Sequence, residues 1–270
     1  MLNLLTEMLS YTFIQRALVV GIIVSICAAL MGVIMVLRRS SMIGDGLSHV
    51  AFGAFAVATV LGFTPIYFAI PVSILTSFFI LRLSQNSKIH GDSAIALFSA
   101  SALAIGIMAI SVTKGVNVDI NAYLFGSILS INPRDLVISV ILGLAVLAFF
   151  LIFYHHIFAI TFDESFAKSI GLKVDLYRGI LAVMCSIIVV LGMKLLGSLL
   201  ISSLIIFPCL TSMQLFKNFR QVVIASTTVS VLCFILGLVA SYVFSTPTGA
   251  TIVIANLGAF LACWLLAKIK

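Results

Sequence analysis

Apolar residues in this chain run in long blocks, and polar residues are confined to the short gaps between them. A helix needs about 20 apolar residues to cross a bilayer, because the hydrocarbon is ~30 Å thick and each residue rises 1.5 Å. On that measure the pattern predicts nine spans, near 13–37, 46–62, 66–83, 94–113, 135–155, 177–195, 197–213, 221–243 and 250–268. Gly197 marks the weakest boundary, so eight and ten spans stand as the neighbouring counts. The connections are short. The chain therefore reads as one all-α polytopic membrane domain, residues 1–270, with about nine transmembrane helices. Val116 to Asp135 is too polar for a full span, and Gly126 and Pro133 interrupt it, which fits a surface or re-entrant helix. The first apolar run is full length and lacks a basic leader, so it reads as a retained span rather than a signal peptide.

Composition removes the soluble classes. Hydrophobic residues make up 63% of the chain and charged ones 9%, against about a quarter charged in soluble domains. Mean hydropathy is +1.32. A net charge of +7 would suggest nucleic acid in a soluble protein; here the basic residues sort by membrane face instead. With the N-terminus outside, Arg38, Arg39, Arg82, Lys88, Lys168, Lys173, Arg178, Lys217, Arg220, Lys268 and Lys270 fall inside, and Arg16, Lys114, Arg134 and Lys194 outside. That asymmetry predicts N-terminus out and C-terminus in. The six tyrosines and Trp264 fall near span ends, where amphipathic rings prefer to sit. Five cysteines lie singly within apolar runs and read as small buried hydrophobes, not as a disulfide framework or zinc knuckle.

Little chemistry is left, and it is concentrated. In RRSSMIGDGLSHV, Arg38 to Val50, Asp45 and His49 stand four apart and share one helix face. A carboxylate and an imidazole suit zinc or manganese, and ionisable groups inside spans usually face a cavity or a partner. The plainer alternative makes Asp45 the cap of a helix starting near Leu47 and His49 an interfacial side chain. Two ligands do not complete a zinc shell, so such a site is weak, incomplete or shared with another segment. A second stretch, TFDESFAKSIGLKVDLYRG, repeats Phe162, Phe166 and Ile170 every four residues, which predicts a short amphipathic helix. Thr161 or Asp163 can cap its start, Glu164 lies in its first turn, Ala167 in its middle, and Gly171 can end it. It reads as a solvated interfacial helix or as a docking helix for a cytoplasmic subunit. No G-x-x-x-x-G-K-[ST] phosphate loop occurs, so the chain does not itself hydrolyse ATP, and no H-E-x-x-H occurs.

Together these motifs resemble the permease subunits of bacterial metal-uptake ABC transporters, the zinc, manganese and iron family. RRSSMIGDGLSHVAFGA looks like the family's signature after the first span and FDESFAKSIGL like its cytoplasmic coupling segment. MKLLGSLLISSLIIFP resembles the run before its last spans, and TPTGATIVI its closing motif. The resemblance covers nearly the whole chain in order. VDINAYLFGSIL leans towards the zinc-type members. The family implies a homodimer in the bacterial cytoplasmic membrane, a separate ATPase inside and a separate metal-binding protein outside. It implies that Asp45 and His49 line the metal path and that Phe162, Asp163, Glu164, Phe166, Ala167, Ile170 and Gly171 form the ATPase-docking segment. No cofactor is permanently bound on this reading; the divalent ion, zinc first with manganese or iron as alternatives, is cargo. A proton-coupled secondary metal transporter is the runner-up, and an intramembrane enzyme using Ser48 and His49 ranks third, because adjacent helix residues point about 100° apart.

Overall fold

The computed structural model describes residues 10–86, 91–113, 126 and 132–269. Among them are eleven α-helices and no strand. They are α1 (Thr12–Leu37), α2 (Met42–Val60), α3 (Pro65–Asn86), α4 (Gly91–Val112), α5 (Pro133–Ile152), α6 (Tyr154–Phe162), α7 (Glu164–Ser169), α8 (Val174–Leu196), α9 (Ser198–Leu215), α10 (Phe219–Phe244) and α11 (Thr248–Ile269). Nine of these, all but α6 and α7, are long and apolar enough to cross a membrane. The nine-span pattern is therefore the architecture, with a short helix, α7, inside the segment where the sequence predicts one. The segment read as a re-entrant helix lies outside the described residues except for Gly126 and its C-terminal end.

α1 and α2 are the most enclosed spans; α4 and α11 are the least. One buried apolar cluster reaches all nine long helices, with Met31 and Ile34 of α1, Phe52 and Phe55 of α2 and Phe234 of α10 fully inside. Small residues bring the helices together, as close packing in lipid requires. A side chain at Gly53 would put its Cβ 2.3 Å from the Ala102 carbonyl oxygen, so α2 and α4 touch backbone to backbone there. Serines add links between helices: Ser230 donates to the Ser25 carbonyl at 3.0 Å and Ser186 to that of Ser73 at 3.3 Å. Each is worth about 0.6 kcal/mol by the mean of such bonds in membranes.

Two departures from the sequence pattern matter for function. The second span begins at Met42, not near residue 46. Pattern reading starts a span where polar residues stop, but Gly44 and Gly46 leave room for Ile205 and Ile95 to pack on this first turn. Asp45 is therefore inside the helix. The second departure is α6, which the pattern did not separate from the fifth span. Its rings gather on Phe219, with centroids of Tyr154, Phe158 and Phe162 at 5.5, 5.2 and 5.8 Å. Tertiary stacking rather than local propensity defines it. The Gly197 boundary is a true break: at φ +88° it favours glycine over any residue with a Cβ, and it separates α8 from α9.

Candidate metal-binding site

Asp45 lies in the first turn of α2 and His49 one turn further on. Neither caps the helix; Ser41 occupies the N-cap position without a side-chain bond. Asp45 Oδ1 instead accepts a hydrogen bond from Ser202 Oγ of α9 at 2.9 Å. Its Oδ2 stands 3.9 Å from His49 Nε2. That is too long for a hydrogen bond, so these two atoms are not consumed by each other. Two ligands about 2.1 Å from one ion, at tetrahedral or octahedral angles, are roughly 3.0–3.4 Å apart. Small side-chain rotations would close the gap.

Both side chains face a cavity of about 530 Å³ between α2 and α9, with Val253 of α11 at its edge. Ser48, Ser198, Ser202 and Ser203 add hydroxyls, and Ile206 and Phe207 complete an apolar wall. Asp45 is 44% and His49 30% exposed in their side chains, so the ligands are reachable. His49 Nδ1 is buried without a hydrogen-bond partner, so no acceptor fixes the ring as it does at resident metal centres. Among the described residues no group of three His, Cys, Asp or Glu is placed to hold a metal ion. The site offers one carboxylate, one imidazole and several hydroxyls: enough to strip part of an ion's water shell, too little to trap it. Sequence reasoning missed Ser202. Its signal is the pair of hydroxyls four apart, Ser198 and Ser202, in an otherwise apolar run.

The segment 162–171 spans the end of α6 and the whole of α7, and its residues divide. Asp163 caps the helix by accepting from the Phe166 N–H at 2.9 Å. Gly171, at φ +83°, closes it in a Schellman motif, with Leu172 N–H donating to the Ala167 carbonyl at 3.1 Å. Ala167 is fully buried against Ile160 and Val174. Phe162, Phe166 and Ile170 are more than half exposed, but they do not form one helical stripe. Phe162 ends α6 against Phe158 and Phe219, the chain is extended at Asp163, and Ile170 is the C-cap of α7. Glu164 turns towards the bundle: its carboxylate accepts from Arg178, pairs with Lys168 at 3.0 Å and lies 3.7 Å from Arg38. Burial alone would raise its pKa, but the hydrogen bonds from Lys168 and Arg178 outweigh that and hold it below the usual carboxylate range. His155 and His156 lie in α6; His156 stacks on Tyr177 with centroids 5.5 Å apart and takes no part in the cavity.

The model of the ABC 3 transport family matches residues 10–267. The manganese import system permease protein ScaB of Streptococcus gordonii is 31% identical over 257 residues, which covers 95% of this chain and 92% of that one. The manganese transport system membrane protein MntC of Halalkalibacterium halodurans is 29% identical over 248 residues, covering 92% and 85%. Among solved structures, PsaBC from Streptococcus pneumoniae in complex with Fab superposes with a TM-score of 0.86 at 31% identity, covering 97% of this chain and 94% of that one.

Proposed function

The chain belongs to the ABC 3 transport family and is a metal-transport permease, and from that premise we propose that it is the membrane subunit of an ATP-driven importer in which Asp45 and His49 pass a divalent cation across the bilayer. The observation that carries the reading is the reachable, unconsumed Asp45–His49 pair over a cavity. The whole chain, 1–270, acts as one permease unit. Two copies meet so that two such pairs complete a transient shell that neither copy provides alone.

Manganese is the cargo we favour over the zinc that the VDINAYLFGSIL segment suggests. Zinc sites rely on nitrogen and sulfur, whereas carboxylate, hydroxyl and water oxygens suit manganese, and one imidazole among oxygens leans to the second. The relatives named for a metal above are manganese systems. A separate ATPase docks on the exposed Phe162, Phe166 and Ile170, with Asp163, Ala167 and Gly171 shaping α7 between them and Glu164 turned away from that surface towards the bundle. That end of the bundle faces the cytoplasm, because Arg38, Lys168 and Arg178 gather there. The N-terminus is then outside and the C-terminus inside a bacterial cytoplasmic membrane, with an external metal-binding protein delivering the ion to the far end.

The test is metal content in cells that lose and then regain this chain. Manganese should fall and recover, with zinc unchanged. Recovery of zinc alone would reverse the cargo assignment, and no change in either metal would remove the function.

A further inference from the structure

Glu164, at the start of α7, faces the bundle rather than the exposed apolar side chains beside it. Its carboxylate faces inward and collects three cations from three places: Lys168 one turn along α7, Arg178 in the first turns of α8, and Arg38 at the end of α1. Arg38 and Arg178 are both largely buried. Burial first, and the Arg178 charge second, pull the Arg38 pKa down, while Glu164 opposes both. Without the carboxylate, the Arg38 and Arg178 guanidinium groups would repel each other with this counter-charge gone.

The backbone beyond Arg38 is tight. α1 ends in a Schellman motif in which Ser40 N–H donates to the Met35 carbonyl at 2.8 Å and Arg39 N–H to that of Val36 at 3.0 Å. The left-handed position falls on Arg39, at φ +57°, where glycine is the usual occupant. Met42 then opens α2, and Asp45 follows in its first turn. α7 has only six residues, and it is otherwise held by the small buried cluster of Ile160, Ala167 and Val174, which lies on α6, α7 and α8 and does not reach α1. Among the ion pairs of the described residues, Glu164 to Arg38 is the one that joins α7 to the turn carrying the metal site.

We propose that Glu164 is a strut: through Arg38 it passes movement of the docking helix to the α1–α2 turn and so to Asp45, coupling ATP hydrolysis to the metal step. Glu164 is a positioning residue that touches neither metal nor nucleotide. The proposal rests on α7 being the ATPase-docking helix.

The experiment uses the permease reconstituted with its ATPase and metal-binding protein in vesicles. It measures ATPase retained on the tagged permease, ATP hydrolysed, and manganese taken up per ATP. Glu164→Gln and Arg38→Gln should each retain the ATPase and its hydrolysis. Each should lower manganese per ATP by about tenfold, within the span of ordinary site-to-site couplings. The double variant should be no worse than either single, because both remove one bridge. Lys168→Gln, which removes an exposed ion pair within α7 but leaves the Glu164–Arg38 bridge between helices, should behave as wild type. Unchanged manganese per ATP in Glu164→Gln, or additive losses in the double variant, would overturn the strut. So would failure of Glu164→Gln to retain the ATPase, since Glu164 would then contact the partner directly. If Glu164→Gln does not accumulate in the membrane, Arg38→Gln decides alone, and normal coupling there refutes the proposal. Retention of the ATPase at wild-type yield by a Phe166→Asp, Ile170→Asp variant would instead overturn the docking reading, and the strut with it.

Discussion

Among the described residues, two of the ion pairs on the membrane-spanning helices are built in opposite ways. Lys194 Nζ of α8 meets Asp135 Oδ2 of α5 at 2.7 Å, with side chains only 16% and 7% exposed. Asp45 and His49 are 3.9 Å apart and 44% and 30% exposed, and they open on a cavity. The first pair is neutralised by its own contact and joins two helices distant in sequence. The second lies within one helix, and although Ser202 donates to Asp45 Oδ1, neither Oδ2 nor the imidazole Nε2 is taken up by the other. An intramembrane charge is by itself an ambiguous sign of function. What separates a tie from a ligand here is whether the partner already occupies the acceptor.

Breaking the tie should give the largest effect, and it should be an effect on folding. Asp135→Asn leaves the Lys194 ammonium enclosed without its counter-charge, which costs about 3–5 kcal/mol for a buried pair. Thermal unfolding in detergent should show that loss, while uptake per folded molecule stays at the wild-type level. Adding Lys194→Met should recover most of the stability, because two apolar-compatible side chains need no pairing. A fully stable Asp135→Asn permease would show that the contact is not a tie.

Asp45→Asn should invert that result. Asparagine keeps the shape and can still accept from Ser202, so the fold should melt as wild type does. Metal uptake should fall by more than about 100-fold, beyond the 10–100-fold typical when only an outer-shell partner is lost. His49→Gln should follow the same pattern. Stable proteins with normal uptake in both variants would sink the metal-path assignment. Unstable proteins would move Asp45 into the same class as Asp135.

The difference between the pairs also explains what the sequence could and could not disclose. Nine spans were legible because lipid enforces apolar blocks of fixed length, and α7 was legible because its caps, Asp163 and Gly171, are local signals. The Phe162, Phe166, Ile170 repeat misled, since the break at Asp163 leaves Phe162 on α6. Asp45 and His49 stood out because their spacing lies within one helix. Ser202 and the Lys194–Asp135 tie were not legible, since their partners are 157 and 59 positions away and only packing brings them together. Lys194 looked like an outer-face topological charge, and Glu164 like one more docking residue. Its inward turn is set by Arg38 and Arg178, on helices the local pattern does not connect. The start of α2 was misjudged for the same reason: Gly44 and Gly46 look like a loop until Ile205 and Ile95 are seen beside them.

The smallest expected effect lies between the two pairs, at Ser202. Its hydroxyl holds Asp45 Oδ1 at 2.9 Å and leaves Oδ2 towards His49, so it aims the carboxylate without replacing any ligand. Ser202→Ala removes one hydrogen bond to a charged group, worth about 1.5–3 kcal/mol where the acceptor is enclosed. Asp45 is open to the cavity, and water can take the place of the hydroxyl, so the loss should fall at or below the low end of that range. We expect apparent affinity for manganese in uptake assays to weaken by about tenfold or less, since 1.4 kcal/mol corresponds to a factor of ten, with maximal rate and melting temperature unchanged. Ser202→Thr keeps the hydroxyl and adds a methyl that a cavity of about 530 Å³ can hold, and it should restore the affinity. A Ser202→Ala permease that transports normally would make the contact incidental. One as damaged as Asp45→Asn would promote Ser202 from orienting group to ligand and add a third oxygen to the metal path.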